Sequence, residues 1–255
     1  MAVVNVSFNG FDLQNDTYLT RNIQHRHLAE KVLNSRPSLR EGKRRILDTW
    51  YTEKIVELSG WIISDSEANL RTAIDNLKEA LRPKEKNLDI DYGSGTIRYV
   101  ATCQSLEIPE EHWHTTQVPF TIRFSAEPWG IDPTTDSNSW TGITATSYSN
   151  SINIQGSHSP YPVIEITSNK TISMGVKFQN DTTGDWIQTS ETQSFSTNSV
   201  LEIDTKNQTF KLDGTEIDFD GVFPNFEPGT NNFTVTISGT SPDYDLKIKY
   251  NPTYL

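Results

Sequence analysis

Only one stretch of the sequence repeats its apolar residues at helical spacing, and this restricts the chain to a fold built mainly from strands. The apolar residues of this stretch are Leu70, Ala73, Ile74, Leu77 and Leu81. They recur every three or four residues, as on one face of a helix. Ser64 and Glu67 have the spacing of a capping box, and Pro83 is a stop signal. The pattern therefore predicts one helix over residues 65–82.

The remainder of the first half alternates between apolar and polar residues, which is typical of half-buried strands. These segments lie at 55–63, 88–92, 96–102 and 118–124. Gly93-Ser94-Gly95 separates the second segment from the third and predicts a hairpin. A strand, a helix and then antiparallel strands predict an α+β domain, in which the helix covers one face of a sandwich- or barrel-like sheet.

The second half contains only strand patterns and turn signals. Its strand segments lie at 162–166, 173–178, 200–204, 209–212, 215–217, 233–237 and 246–250. Asp213-Gly214 is a dipeptide favoured in type I′ hairpin turns. Short strands at this spacing predict a β-sandwich. We therefore predict a first domain at 1–130, a linker at 131–138 and a second domain at 139–255.

Charge is distributed unevenly along the chain. The net charge is −11, but residues 1–130 carry 16 basic and 18 acidic side chains, whereas residues 131–255 carry 6 and 15. Every arginine lies in the first half, the last being Arg123. Because arginine is enriched in protein interfaces, the first half is the better candidate for assembly contacts. Nucleic-acid binding is not expected, because it requires clustered basic residues.

Four arginines lie close together where the strand pattern weakens, between Leu28 and Arg45. They are Arg36, Arg40, Arg44 and Arg45. This segment is either a solvated loop or an extended arm that contacts a neighbouring subunit of a ring. The sequence leaves both alternatives open.

The sequence also indicates the compartment in which the chain folds. Cys103 is the only cysteine, so no disulfide can form within the chain, as expected in a reducing cytoplasm. The first residues do not resemble a signal peptide, and no apolar stretch approaches the ~20 residues that span a bilayer. We therefore expect neither secretion nor membrane insertion.

Motifs for catalysis or metal binding are weak. His25 and His27 share their spacing with His112 and His114, and each pair would project from one face of a strand. Nothing in the sequence brings the pairs together, and the acidic residues after Asp213 lack the order of a calcium loop. No phosphate-binding loop or nucleophile elbow is present. We therefore predict no catalytic residue, metal site or cofactor, and a structural or binding role.

Aromatic side chains of the second domain suggest an alternative function. Trp140, Tyr161 and Trp186 could stack on sugar rings if they were exposed in one groove. Most aromatic residues of a sandwich lie in its core, however. A carbohydrate-binding adhesin is therefore the alternative to a purely structural protein.

The order of these elements resembles the distal tail proteins of siphophages. In the first half the resemblance rests on the 54–62 strand, the 70–81 helix, the 88–92 and 98–101 strands, and the 118–124 strand with Glu127-Pro128-Trp129. In the second half it rests on Gly156 with 160–164, and on 226–231 with the strand through Gly239. Each piece is short, and the weight lies in their order and spacing over almost the whole chain.

This resemblance implies a virion protein of the tail tip. The first domains would form a hexameric ring, and a galectin-like sandwich would project from each. The ring would join the tail-tube protein to a tail-associated hub or lysin-type protein, with tape-measure and receptor-binding proteins as further partners. The family offers no catalytic residues. A tail-tube protein is a further alternative with similar architecture.

Overall fold

The computed structural model describes residues 4–37, 44–109 and 116–255. The chain forms two compact units, of which the first ends at Pro133 and the second begins at Thr134. Both are built from antiparallel strands, so the prediction of a mainly β fold is confirmed. The boundary falls inside the predicted linker, where residues 132–135 lie outside strands.

Ten strands and one helix form the described part of the first unit. They are β1 (Asn5–Phe8), β2 (Phe11–Asp12), β3 (Tyr18–Gln24), β4 (Lys31–Pro37), β5 (Arg44–Tyr51), β6 (Lys54–Ile63), α1 (Glu67–Ala80), β7 (Lys86–Asp91), β8 (Thr96–Glu107), β9 (Gln117–Ala126) and β10 (Gly130–Ile131).

The second unit contains strands only. They are β11 (Asp136–Ile143), β12 (Ser147–Ile154), β13 (Val163–Ser168), β14 (Ile172–Met174), β15 (Val176–Asn180), β16 (Trp186–Thr189), β17 (Gln193–Phe195), β18 (Val200–Asp204), β19 (Thr209–Leu212), β20 (Thr215–Glu216), β21 (Phe219–Gly221), β22 (Gly229–Ile237), β23 (Tyr244–Tyr250) and β24 (Thr253–Tyr254).

One antiparallel sheet forms most of the first unit, in the order β2-β1-β7-β8-β9-β6-β3, with β10 beside β8. The predicted hairpin is confirmed as β7–β8, and its turn is held by the Asp91 carboxylate, which accepts a 2.7 Å hydrogen bond from the Gly93 N–H. Strands β4 and β5 pair with each other in a separate two-stranded sheet.

This sheet is strongly curved around its core. Phe8 on β1 and Phe124 on β9 have ring centroids 5.0 Å apart, although β7 and β8 lie between these strands in the sheet. Neighbouring strands are ~4.8 Å apart, so a flat sheet would separate the two rings by about 14 Å. The sheet therefore curls into a barrel-like half-cylinder. Alternate residues of β6 and β9 line its inside, including Leu58 and Ile122, both fully buried.

Helix α1 covers the core of this sheet, as predicted, but its N-cap differs from the prediction. Leu70, Ala73 and Leu77 are buried, and the Tyr18 hydroxyl donates a 2.8 Å hydrogen bond to the Ala73 carbonyl. The predicted capping box of Ser64 and Glu67 is wrong, because the hydroxyl of Ser66 caps the helix by accepting from the Asn69 N–H. The Ser64 N–H instead donates to the Thr116 carbonyl, so the backbone pairing between the ends of β6 and β9 still continues at Ser64.

The second unit is a sandwich of two sheets. Their orders are β11-β23-β13-β18-β19-β20 and β12-β22-β15-β16-β21. The first and last long strands of the unit pair directly, with Trp140 opposite Leu246. Phe178 and Phe233 come from one sheet and lie in a core that also takes residues such as Ile164 and Leu246 from the other. This confirms the predicted sandwich.

Of two local predictions for the sandwich, one is confirmed and one is wrong. Asp213 and Gly214 have φ of 49° and 80°, as a type I′ turn requires, which confirms the predicted hairpin. The predicted single strand at 173–178 is wrong, because Gly175 divides it into β14 and β15, which belong to different sheets. The Gly175 N–H donates to the Ser238 hydroxyl, and a Cβ on Gly175 would lie only 2.5 Å from that oxygen.

Candidate assembly interface

The segment predicted to be an arm or a loop is a β-hairpin over most of its length. Arg36 lies opposite Arg45, and Pro37 opposite Arg44, in the β4–β5 register. Arg40 lies outside the described residues. Strands occupy 31–37 and 44–51, so the loop alternative does not hold for these residues. Arg36, Arg44 and Arg45 thus lie at one end of a strand pair that no other described strand joins.

A buried polar cluster lies close to both ends of the β4–β5 hairpin, which we call the arm. His25 precedes the arm and is 4% exposed, while Lys54 follows it and is 2% exposed. The His25 Nδ1 lies 3.1 Å from the Tyr99 hydroxyl, and its Nε2 contacts the Tyr92 hydroxyl. The Lys54 Nζ lies 5.2 Å from the centroid of the Tyr99 ring. The residues before and after the arm therefore both contact the β7–β8 hairpin. His25 contacts Tyr92 and Tyr99, and Lys54 lies over the Tyr99 ring.

Burial makes this cluster electrostatically unusual. It lowers the pKa of His25 from 6.5 to about 4, with the nearby charges of Lys54, Arg26 and His27 contributing in the same direction. It also lowers the pKa of Lys54. Burial, followed by the proximity of Tyr92, raises the pKa of Tyr99 to about 12. No ion pair neutralises Lys54 within the described part of the chain, and such burial of an unpaired lysine is rare.

We expect the first unit to lose about 2 kcal/mol of stability between pH 7 and pH 5 through His25. Its pKa is 6.5 in the unfolded chain and about 4 in the folded one, so the unfolded state takes up the proton first as the pH falls. The stability that neutral His25 contributes is complete above its unfolded-state pKa of 6.5. It is lost progressively as the pH falls towards the folded-state pKa of about 4. Each pKa unit corresponds to about 1.4 kcal/mol.

Denaturant unfolding at pH 7 and pH 5 measures this loss. The His25→Gln variant is the control, because glutamine can hydrogen-bond to the tyrosines and does not titrate. Its stability should fall by about 2 kcal/mol less than that of the wild type over the same interval. Equal losses in the two proteins would contradict the assignment.

The aromatic residues predicted to bind sugar do not share one surface. Trp140 is half-buried and packs edge-on against Phe233 in the core, with ring centroids 5.1 Å apart. Trp186 lies in β16, with the Lys177 ammonium 4.9 Å from its centroid. Tyr161 is 49% exposed and precedes β13 of the opposite sheet. Sugar stacking by these residues stays a prediction, without the common groove that it requires.

The predicted absence of a metal site concerns two pairs of histidines. His25 is engaged by two tyrosines, while His112 and His114 lie outside the described residues. No group of potential ligands large enough to hold a metal ion occurs in residues 4–37, 44–109 and 116–255. Asp213 has a structural role, since its carboxylate accepts a 2.8 Å hydrogen bond from the Val200 N–H. In the same part of the chain, no helix has the length and apolarity needed to cross a membrane.

Comparisons with known proteins agree with this architecture. The chain is similar to the Dit protein of phage SPP1, described as a paradigm of the hub adsorption apparatus in phages that infect Gram-positive bacteria. The TM-score is 0.75 at 14% identity, over 99% of this chain and 100% of that one. A chain of the phage P2 baseplate in its activated conformation with calcium matches with a TM-score of 0.50 at 11% identity, over 98% of both chains. No curated protein matches the sequence.

The family comparison concerns the second unit. Residues 155–254 match the model of the siphovirus-type tail component, C-terminal domain. This match runs from the residue after β12 to β24, so it covers all strands of the sandwich except β11 and β12. Residues 155–254 are thus similar to the C-terminal domain of siphovirus-type tail components, and the resemblance of the sequence to siphophage distal tail proteins is confirmed.

Proposed function

We propose that the protein is a non-enzymatic structural component of a siphophage tail tip, in which six copies form a ring between the tail tube and the baseplate. The observation that carries this proposal is the similarity of fold to phage SPP1 Dit over 99% of the chain. The match extends over both units of this chain at 14% identity. The family match of the sandwich supports the same function independently.

Such a ring has partners on both of its faces. One face would contact the tail-tube protein and the other a tail-associated hub or lysin-type protein, with tape-measure and receptor-binding proteins as further partners. The similarity to a chain of the phage P2 baseplate supports this position in the virion. The protein would be synthesised and assembled in the cytoplasm of the bacterial host and would remain at the tail tip of the virion.

The arm is the first element that we assign to contacts between subunits. Its two strands pair only with each other among the described strands, so both outer edges are available to another chain. The segment 36–45 carries five basic side chains and one acidic side chain, in a protein with a net charge of −11. A basic arm on an acidic protein is attracted to neighbouring copies of that protein.

The mass of the purified protein, followed by negative-stain imaging, tests the ring. We expect closed rings of about six subunits, since cyclic symmetry is the usual way in which a single chain forms a closed assembly. A chain that stays monomeric at high concentration and also fails to join tail proteins would overturn the proposal. A filament would favour a tail-tube protein instead.

Reversing the charge of the arm should weaken the ring and leave the subunit folded. Arg36 and Arg45 lie opposite each other, so Arg36→Glu with Arg45→Glu places two carboxylates at one position of the hairpin. We expect at least a tenfold loss of association, because like charges in an interface cost several kcal/mol. Light scattering measures the mass, and circular dichroism the fold.

A matched control separates the arm from total charge. Lys84→Glu with Lys86→Glu produces the same change in net charge at two exposed positions of the first unit, away from the arm. This variant should assemble like the wild type. Equal effects of the two variants would assign the loss to total charge, and unchanged rings in the arm variant would exclude the arm from the interface.

A further inference from the structure

A groove of about 720 Å³ lies along strand β3 of the first unit. Its polar lining comes from Gln14, Thr20, Arg21, Asn22, His25, Arg26 and Tyr92, and none of the described residues that line it carries a carboxylate. We call it the basic groove. It lies beside the buried cluster at the root of the arm, because His25 and Tyr92 belong to both.

One wall of the basic groove is an unpaired strand edge. Strand β3 is the last strand of its sheet and pairs with β6 on one side. On the other side the structure records an isolated bridge between Gln14 and Leu19. From Arg21 to Gln24, no strand within the described residues lies against this edge. Free edges of this kind accept a further extended segment through backbone hydrogen bonds.

The charge of the groove indicates what would enter it. Arg21 and Arg26 form no ion pair with any described residue, and the Arg26 guanidinium lies 5.5 Å from the Tyr92 ring centroid. Arg21 and Arg26 therefore meet no negative charge among the described residues that line the groove, so the groove favours a segment that carries carboxylates.

The first unit itself carries a surface of this chemistry. A second groove of about 410 Å³ lies on β1, β2, β7 and β8, and Asp12, Asp89 and Asp91 line it. Its single basic residue, Arg98, is already bound to Asp89 through hydrogen bonds of 2.7 and 2.9 Å. We call it the acidic groove. A head-to-tail ring requires two different, complementary surfaces on one protomer, and these two grooves have opposite charge.

We propose that the basic groove of one subunit receives the acidic groove of the next copy of this chain. In this pairing Arg21 and Arg26 face Asp12 and Asp91 of the neighbouring copy. The inference rests on the proposed ring. It adds the surfaces that fix the direction in which subunits follow one another.

Complementary charge reversal tests this pairing. Arg21→Glu with Arg26→Glu, and Asp12→Lys with Asp91→Lys, each place like charges at every contact of a homogeneous ring. Each variant alone should associate at least about 100-fold more weakly than the wild type. In a 1:1 mixture of the two, charges are opposite at every contact of a ring in which the variants alternate, so rings should return to near wild-type mass.

The aspartates also hold turns, and a milder variant keeps the test informative. Asp12 accepts from the Gln14 N–H and Asp91 from the Gly93 N–H, both at 2.7 Å. Asp12→Asn with Asp91→Asn retains these acceptors and removes both charges, so it should remain folded and still weaken the ring. For the Arg21→Glu, Arg26→Glu variant, Lys84→Glu with Lys86→Glu again controls for the change in net charge, since both variants change it by −4.

The outcomes separate the pairing from the ring itself. Wild-type rings that persist in the Arg21→Glu, Arg26→Glu variant overturn the pairing and leave the proposed function standing. The same holds for variants that fail alone and are not restored by mixing. Normal rings that no longer join tail proteins assign the groove to a different partner. A wild-type protein that never forms rings overturns both proposals.

Discussion

Leu77→Asp is expected to unfold the first unit and leave the second folded. Leu77 is fully buried on the inner face of α1, in a cluster that includes Leu58 and Phe120. The substitution removes apolar burial of about 2–3 kcal/mol. It also places a carboxylate where the described structure offers no cation, which costs several kcal/mol more. A total above about 5 kcal/mol equals or exceeds the stability of many single domains.

Thermal unfolding followed by circular dichroism tests this expectation, with limited proteolysis to identify the part that remains. The variant should lose one transition and yield a protected fragment that begins near Thr134, where the second unit starts. Asn76→Asp is the matched control, since it adds the same charge at the neighbouring, exposed position of the same helix. Loss of both transitions in the Leu77 variant would show that the second unit depends on the first.

Phe178→Ala is expected to destabilise the second unit by about 3–5 kcal/mol. The Phe178 side chain is fully buried. Its ring stacks on Phe233 at 5.6 Å with an interplanar angle of 17°, and lies 6.2 Å from the ring of Phe226. Truncation leaves a cavity between the two sheets that rigid strands cannot fill by collapse.

The midpoint of the unfolding transition of the second unit measures this loss of stability. Phe219→Ala is the control, because it makes the same truncation at a ring that is 39% exposed and touches the partly buried Phe223 and the buried Phe210. We expect the control to cost less than half as much. Equal losses would show that the aromatic stack formed by Phe178, Phe226 and Phe233 is not the centre of the core.

Most strands could be predicted because one face of each is buried. In β9, the buried Phe120, Ile122 and Phe124 alternate with residues that are more exposed, and this alternation is visible in the sequence. The Asp213-Gly214 turn could be predicted for a similar reason, since its backbone needs positive φ at two successive residues. In both cases the physical cause is local.

The errors and omissions come from distant contacts. Ser64 and Ser66 are equally good caps by residue type, and the choice depends on a backbone bond from Ser64 to Thr116. The division at Gly175 depends on Ser238. The cluster of His25, Tyr92 and Tyr99 joins residues more than 60 positions apart.

The basic groove likewise depends on how the sheet curls, and no sequence pattern encodes it. Only the isolated arginines at 21 and 26 could have directed attention there.

The pairing of β11 with β23 sets an order of events during synthesis. Trp140 pairs with Leu246, so the sandwich lacks a central strand until residues 244–250 have left the ribosome. The first unit has its last long strand, β9, by Ala126. At about 5–20 residues per second, translation from Ala126 to Leu246 takes roughly 6–24 s. The first unit therefore has time to fold on the ribosome before the sandwich of the same chain can close.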